Sequence, residues 1–169
     1  DEGSNRKKML FELRDFSLKI ADKVLVSSLS MRILQKDKIA IVGKNGSGKS
    51  TLINLLCGLL RPSSGEIYLD STKIDEANLQ SYQAKISAIF ADFYLFSQTL
   101  CRDGFASQSD IDELLVMLEI DKKVSVIDNK LSTTQLSTGQ RKRLSLLIAI
   151  LERRSILILD EWAADQDPL

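Results

Sequence analysis

The feature that most constrains this chain is Gly43-Lys44-Asn45-Gly46-Ser47-Gly48-Lys49-Ser50-Thr51. Gly43, Gly48, Lys49 and Ser50 fall at the spacing Gly-x-x-x-x-Gly-Lys-Ser/Thr, a loop that wraps phosphate. The flanks fit that reading. Lys38-Ile39-Ala40-Ile41-Val42 is apolar and β-branched, which predicts a short buried strand ahead of the loop. Leu52 to Leu60 is an apolar helical stretch stopped at Arg61-Pro62. Glycines let backbone N–H groups turn inward around an anion, and the helix N-terminus adds the positive end of its dipole. Asn45, Gly46, Ser47 and Thr51 complete the cradle. Lys49 is expected to reach the terminal phosphates, and the Ser50 hydroxyl to ligand a magnesium ion.

The rest of the chain narrows the class. Lys+Arg and Asp+Glu balance at 23 each, so no basic field argues for nucleic acid. With 169 residues, 44% hydrophobic, the chain can bury the core of one domain. No apolar run approaches the roughly twenty residues that span a bilayer. Cys57 and Cys101 read as free thiols of a reducing compartment, with no metal spacing.

Alternation predicts strands at Leu10–Ile20, Val24–Val26, Leu29–Ile33, Glu66–Leu69 and Lys85–Phe90, the early ones forming an antiparallel lobe. Leu79–Tyr82 reads as a helical turn. Ser109 reads as the cap of a helix with Asp112 closing the box, and Ile111, Leu114, Leu115 and Leu118 as its apolar face. The longest helix follows Leu136-Ser137-Thr138-Gly139-Gln140 and carries Leu144, Leu147, Ile148 and Leu151 on one face. Arg141, Lys142 and Arg143 read as a solvated face of it. Phe93, Tyr94 and Phe96 read as core packing or as a socket for a helix of a membrane domain.

Ile156-Leu157-Ile158-Leu159 is a core strand ending in Asp160-Glu161. Such an ending is the second half of a nucleotide-hydrolysis site: Asp160 holds the metal and Glu161 orients or deprotonates water. Ser137, Gly139 and Gln140 at a helix start form an anion site, and Ser137 with Gln140 also forms a capping box.

With these motifs in this order, the chain resembles the ATP-binding cassette (ABC) ATPases, whose signature Leu-Ser-Gly-Gly-Gln is matched except at Thr138. The resemblance covers about Leu10 to Asp167. It implies an α/β fold: a P-loop NTPase core of the ABC-ATPase type with an N-terminal antiparallel β lobe and a helical signature subdomain. The expected layout is a linker at 1–9, the core at 10–90, the helical subdomain at 91–152, and the Asp-Glu strand with the D-loop at 153–169. The run Leu159 to Pro168, with Trp162 after the glutamate and Asp165-Gln166-Asp167 at the D-loop, is similar to the cassettes of bacterial cyclic-peptide and siderophore-peptide exporters. Phe90 to Phe96 resembles that subgroup too.

The chain departs from the family pattern in three places. Ala91 stands where the family has its Q-loop Gln, and Asp92 beside it is the candidate replacement metal ligand. Ile20 stands where an aromatic usually stacks on adenine, with Phe11 or Phe16 as candidate substitutes. The chain ends at Leu169 with no histidine, so the family's switch His is missing; a truncated cassette is expected, one that binds ATP with sustained hydrolysis in doubt.

The resemblance implies ATP and Mg²⁺ as ligands, with Ser137, Gly139 and Gln140 contacting the nucleotide of a second cassette in an ATP-sandwich homodimer. A transmembrane domain on the same polypeptide, a place at the cytoplasmic face of the bacterial inner membrane and export of a peptide-like or siderophore-like substrate are implied with it. No nucleic-acid partner is expected. The alternatives are a non-transport ABC ATPase acting on nucleic acid or the ribosome, a P-loop kinase or GTPase, and an ATP-binding module without turnover.

Overall fold

The computed structural model describes residues 9–20, 22–90, 107–128 and 130–161. The chain divides into two compact units, Asp1–Ala84 and Lys85–Leu169.

In the first unit, β1 (Met9–Ile20) and β2 (Lys23–Leu34) form a long antiparallel hairpin. With β3 (Ser64–Leu69) and β4 (Thr72–Lys73) they make a four-stranded sheet in the order β2-β1-β3-β4. The two short strands expected at 24–26 and 29–33 are one strand. A left-handed Ser28 (φ 49) takes up the break between them, and its N–H donates to Ser17 Oγ at 3.0 Å. A matching irregularity at Asp15 (φ 46) shifts the phase of β1. That shift lets Phe11, Leu13, Phe16 and Leu18 all reach the core, although strict alternation would send 11 and 16 to opposite faces. Gly65 on β3 accommodates the bulge: a Cβ there would lie 2.6 Å from the carbonyl oxygens of Arg14 and Asp15.

The polar side of β1 carries Glu12, only 3% exposed. Arg14 donates to it at 2.7 Å and Arg32, directly across in β2, at 2.8 Å. Arg14 also lies 4.0 Å over the Tyr68 ring. The bonds from Arg14 and Arg32 hold the Glu12 carboxyl down at about 2, against an ordinary 4.5.

The helix α1 (Lys49–Leu56) is shorter than the sequence suggests. It ends at Cys57, before Arg61-Pro62 is reached. Its last carbonyls accept from the backbone N–H groups of Cys57, Gly58 and Leu59, and Leu56 O accepts from Tyr82 Oη. Tyr82 belongs to α2 (Leu79–Gln83) and stacks on Phe11 with ring centroids 6.4 Å apart. Burial pushes its hydroxyl pKa up. The strand expected at Lys38–Val42 is absent. Residues 37–44 join no ladder, Ile39 and Ile41 are exposed, and Val42 is 91% exposed. Strand preference is a preference for a pleated, half-buried surface, and without a paired neighbour it has nothing to act on.

In the second unit, β5 (Ile86–Ile89) and β8 (Ile156–Leu159) pair in parallel. Between them lie α3 (Gln108–Met117), the small hairpin of β6 (Val126–Ile127) and β7 (Lys130–Leu131), and α4 (Thr138–Leu151). The cap of α3 is Ser107 with Asp110, two residues earlier than the expected Ser109 and Asp112. Ser107 is already extended, whereas Ser109 lies inside the first turn and turns its hydroxyl to Glu113. The expected apolar faces do meet. Ile111 and Leu115 of α3 cluster with Leu144, Leu147 and Leu151 of α4, together with Ile120, Val124 and Val126.

Candidate functional site

The phosphate-loop residues lie in the first unit. Ser47 N–H donates to Lys44 O at 3.1 Å, closing a turn through Gly46 (φ 76). Gly48 caps α1 in the left-handed region (φ 91), and a Cβ there would sit 2.9 Å from Leu25 Cδ1 of β2. Any other residue at 48 meets backbone strain, and its Cβ must displace the tip of the Leu25 side chain. The first turn of α1 has no side-chain cap and no acidic residue. Its leading N–H groups and the positive end of the dipole are left for whatever enters the loop.

Lys49 bridges the loop: its ammonium donates to Gly43 O at 2.7 Å and Lys44 O at 3.1 Å, and an ammonium has three protons. Asn45, Ser47 and Ser50 are exposed along the loop, with Thr51 half-buried behind them. The loop therefore offers backbone N–H groups, one ammonium and one hydroxyl, a donor set suited to a polyphosphate.

The other residues lie in the second unit. Asp160 continues the parallel pairing, its N–H donating to Ile89 O at 2.8 Å, and its side chain is buried. Glu161 is exposed and left-handed, φ 51. Both stand at the carboxyl end of parallel strands, where sheets of this kind bind ligands. At the start of α4, Ser137 Oγ accepts from Gln140 N–H at 3.2 Å and Gln140 Oε1 accepts from Ser137 N–H at 3.0 Å. The expected capping box is formed, and it leaves the Ser137 hydroxyl proton free to be donated. Gly139 is buried in the first turn. A cavity of ≈ 440 Å³ opens beside Ser137 and Gln140, lined also by Glu119, Lys122, Lys123 and Arg143.

Of the three basic residues read as a solvated face, Arg143 is half-buried and pairs with Glu119 at 3.5 Å. Arg141 is exposed as expected, but Lys142 is 5% exposed and its ammonium donates to the Glu161 carbonyl at 3.2 Å. The signal was present in the sequence. Gly139, Lys142, Ser145 and Ala149 recur at helical spacing, and all four are buried. A stripe of small residues marks a closely packed face, and Lys142 lies on it with its stem buried.

A family model described as "ABC transporter" matches residues 26–164. The chain belongs to the ABC transporter family. ABC domains bind ATP, and the loop at Gly43–Thr51 falls inside the matched residues. The cassette is 41% identical over 143 residues to the ATP-binding protein SyrD of Pseudomonas syringae pv. syringae, covering 83% of the chain and 25% of SyrD. It is 29% identical over 167 residues to the mycobactin import ATP-binding/permease protein IrtB of Mycolicibacterium thermoresistibile, covering 92% of the chain and 29% of IrtB. The chain thus spans about a quarter of the length of these curated relatives. Among solved structures, a bacterial Atm1-family ABC exporter with ATP bound shares the fold, with a TM-score of 0.77 at 22% identity, over 99% of this chain and 32% of the other.

The cassette's expected adenine contact needs a correction. Phe11 and Phe16 are both buried, Phe11 against Tyr82, so neither is free to stack on a base. Their places on the core face of β1 commit both rings to packing. Ala91, Asp92, Phe93, Tyr94 and Phe96 lie outside the described residues, as do Cys101, Trp162 and the D-loop from Asp165 to Asp167. Among the described residues no group of three or more His, Cys, Asp or Glu side chains is placed to hold a metal, and no helix is long and apolar enough to cross a membrane.

Proposed function

We propose that this cassette binds and hydrolyses Mg-ATP as the motor domain of an exporter of peptide-like or siderophore-like molecules. It works in pairs at the cytoplasmic face of a bacterial inner membrane, joined to a membrane domain on the same polypeptide. The observation that carries the reading is the open N-terminus of α1, uncapped and without acid, with the Lys49 ammonium across the loop that leads into it. The name of IrtB, which joins ATP-binding and permease, supports the shared polypeptide.

The roles follow from the chemistry. Backbone N–H groups of Gly46 and Gly48, with Asn45, Ser47 and Thr51 around them, hold the phosphates, and Lys49 exchanges its loop carbonyls for phosphate oxygens. Ser50 and Asp160 are the protein ligands of Mg²⁺, with Asp92 a further candidate. A hydroxyl and carboxylates are the oxygen donors a magnesium ion would take from a protein while keeping several waters. When bound there, the ion would supply neutralisation of the phosphate charge. Glu161, exposed at its strand end, takes a proton from the attacking water. Ser137, Gly139 and Gln140 close on the nucleotide of the second copy, where the Ser137 hydroxyl donates outward while its oxygen caps α4.

The test is Glu161→Gln, which keeps shape and removes the base. Its turnover should fall about 10²- to 10⁴-fold, and light scattering should show an Mg-ATP-dependent doubling of mass. Parental turnover in that variant would remove Glu161 from its role. A monomer at saturating Mg-ATP would remove the paired arrangement. Direction is tested separately, because IrtB is named for import. In inside-out vesicles bearing the full-length protein, ATP added outside should drive substrate into the lumen.

A further inference from the structure

We propose that Lys142 is a positioning residue that holds the Glu161 backbone in its catalytic aim and ties that aim to the start of α4. The proposal rests on the reading of Glu161 as the base. Glu161 adopts a left-handed backbone, φ 51, a conformation that is uncommon and sterically disfavoured for a non-glycine residue. Two neighbours hold it from opposite directions. On one side, the preceding peptide is fixed to β5, since Asp160 N–H donates to Ile89 O at 2.8 Å. On the other, the Lys142 ammonium donates to the Glu161 carbonyl at 3.2 Å. With both ends of the turn held, the Glu161 side chain is directed outward while Asp160 stays buried.

Lys142 is itself well placed to hold. It is buried on the small-residue stripe of α4, and Ser145 Oγ donates to its carbonyl at 2.7 Å. It follows Ser137 by five positions, roughly 7–8 Å along a helix. The signature residues and the peptide that aims the base therefore ride on one short rigid segment. A shift of α4 as its start engages the partner's nucleotide is transmitted to Glu161 through this one buried ammonium. A buried lysine that served stability alone would not couple the two, so the test separates those roles.

The experiment compares Lys142→Met, which keeps the buried stem and removes the donor, with Lys142→Arg, which restores one, in the full-length protein. In Lys142→Met, kcat should fall about tenfold or more with KM for Mg-ATP within about twofold, and Lys142→Arg should recover most of the loss. On a Glu161→Gln background, Lys142→Met should add nothing, because its effect passes through that carboxylate. Hydrogen exchange gives a readout independent of turnover: amides of 160–161 should exchange faster in Lys142→Met and return toward normal in Lys142→Arg, with β8 unchanged. Parental kcat in Lys142→Met overturns the proposal, as does a loss that Lys142→Arg fails to rescue, or faster exchange spread through the whole unit. Full activity in Glu161→Gln alone would sink the base assignment instead, so the two failures are distinguishable.

Discussion

The helices α1 and α4 begin in opposite ways, although both open at residues of the nucleotide motifs. α1 starts from a left-handed glycine, with no side chain closing its first turn and no acid near it. α4 starts from Ser137, whose oxygen and whose partner Gln140 satisfy two orphan N–H groups of their own helix. The third helix start sharpens the contrast: α3 has the same box, but with Asp110, which is further paired to Arg153. An uncapped start with a lysine across it is built to receive charge. A capped start holds its own shape and has left to give the Ser137 hydroxyl proton and the first-turn N–H groups the box does not close. On the proposed reading, a glycine loop and a capping box, both recognisable from sequence, divide the handling of phosphate between a binder and a closer.

The comparison can be broken most directly at Lys49. Lys49→Ala should weaken ATP binding about 30- to 200-fold, the worth of one or two charge-assisted hydrogen bonds (~2–3 kcal/mol), as read by titration of a fluorescent ATP analogue. Retained affinity would mean that the ammonium is a loop brace only. Gly48→Ala should cost about 1–2 kcal/mol in stability for the left-handed backbone alone. It should also weaken nucleotide binding, because the methyl meets Leu25. The two serine caps come next. Ser137→Ala and Ser107→Ala should each cost ~1 kcal/mol by denaturant melt, but only Ser137→Ala should reduce Mg-ATP-dependent pairing. Equal effects on pairing would erase the distinction between α3 and α4.

The smallest effect is one of pH and concerns the hairpin against which Gly48 packs. The folded Glu12 carboxyl lies near 2, below its unfolded value near 4.5. Its contribution to stability is therefore complete above about 4.5 and is lost as pH falls toward 2. Over that window amide protection in β1 and β2 should decline in the parent, and Glu12→Gln should lack that part of the decline. The start of α4, capped by the neutral pair Ser137 and Gln140, should keep its protection.

What the sequence revealed and what it hid divide along physical lines. The loop, the box at Ser137–Gln140 and the leucine faces of α3 and α4 are local patterns, and local patterns survive without tertiary knowledge. Three readings failed where a distant neighbour decides. Lys38–Val42 has the composition of a strand but no ladder. Phe11 and Phe16 looked available for a base until the bulge at Asp15 turned both into the core. Lys142, flanked by two arginines, read as solvated until its place among Gly139, Ser145 and Ala149 was seen to be buried. The cap of α3 failed differently: Ser107 and Ser109 are both serines with an acid three positions on, and only backbone geometry chooses between them.

The left-handed backbone at Glu161 also sets which amino acids this position can explore. Glycine, asparagine or aspartate would sit there at little cost, whereas valine, isoleucine or threonine would carry a steric penalty of about 1–2 kcal/mol or more before any chemistry is counted. Drift at the residue proposed as the base is thus filtered twice, once by stereochemistry and once by proton transfer. A lineage that lost hydrolysis at this position should therefore retain a residue tolerant of positive φ, so a silent descendant of this cassette would still bear the imprint of the turn.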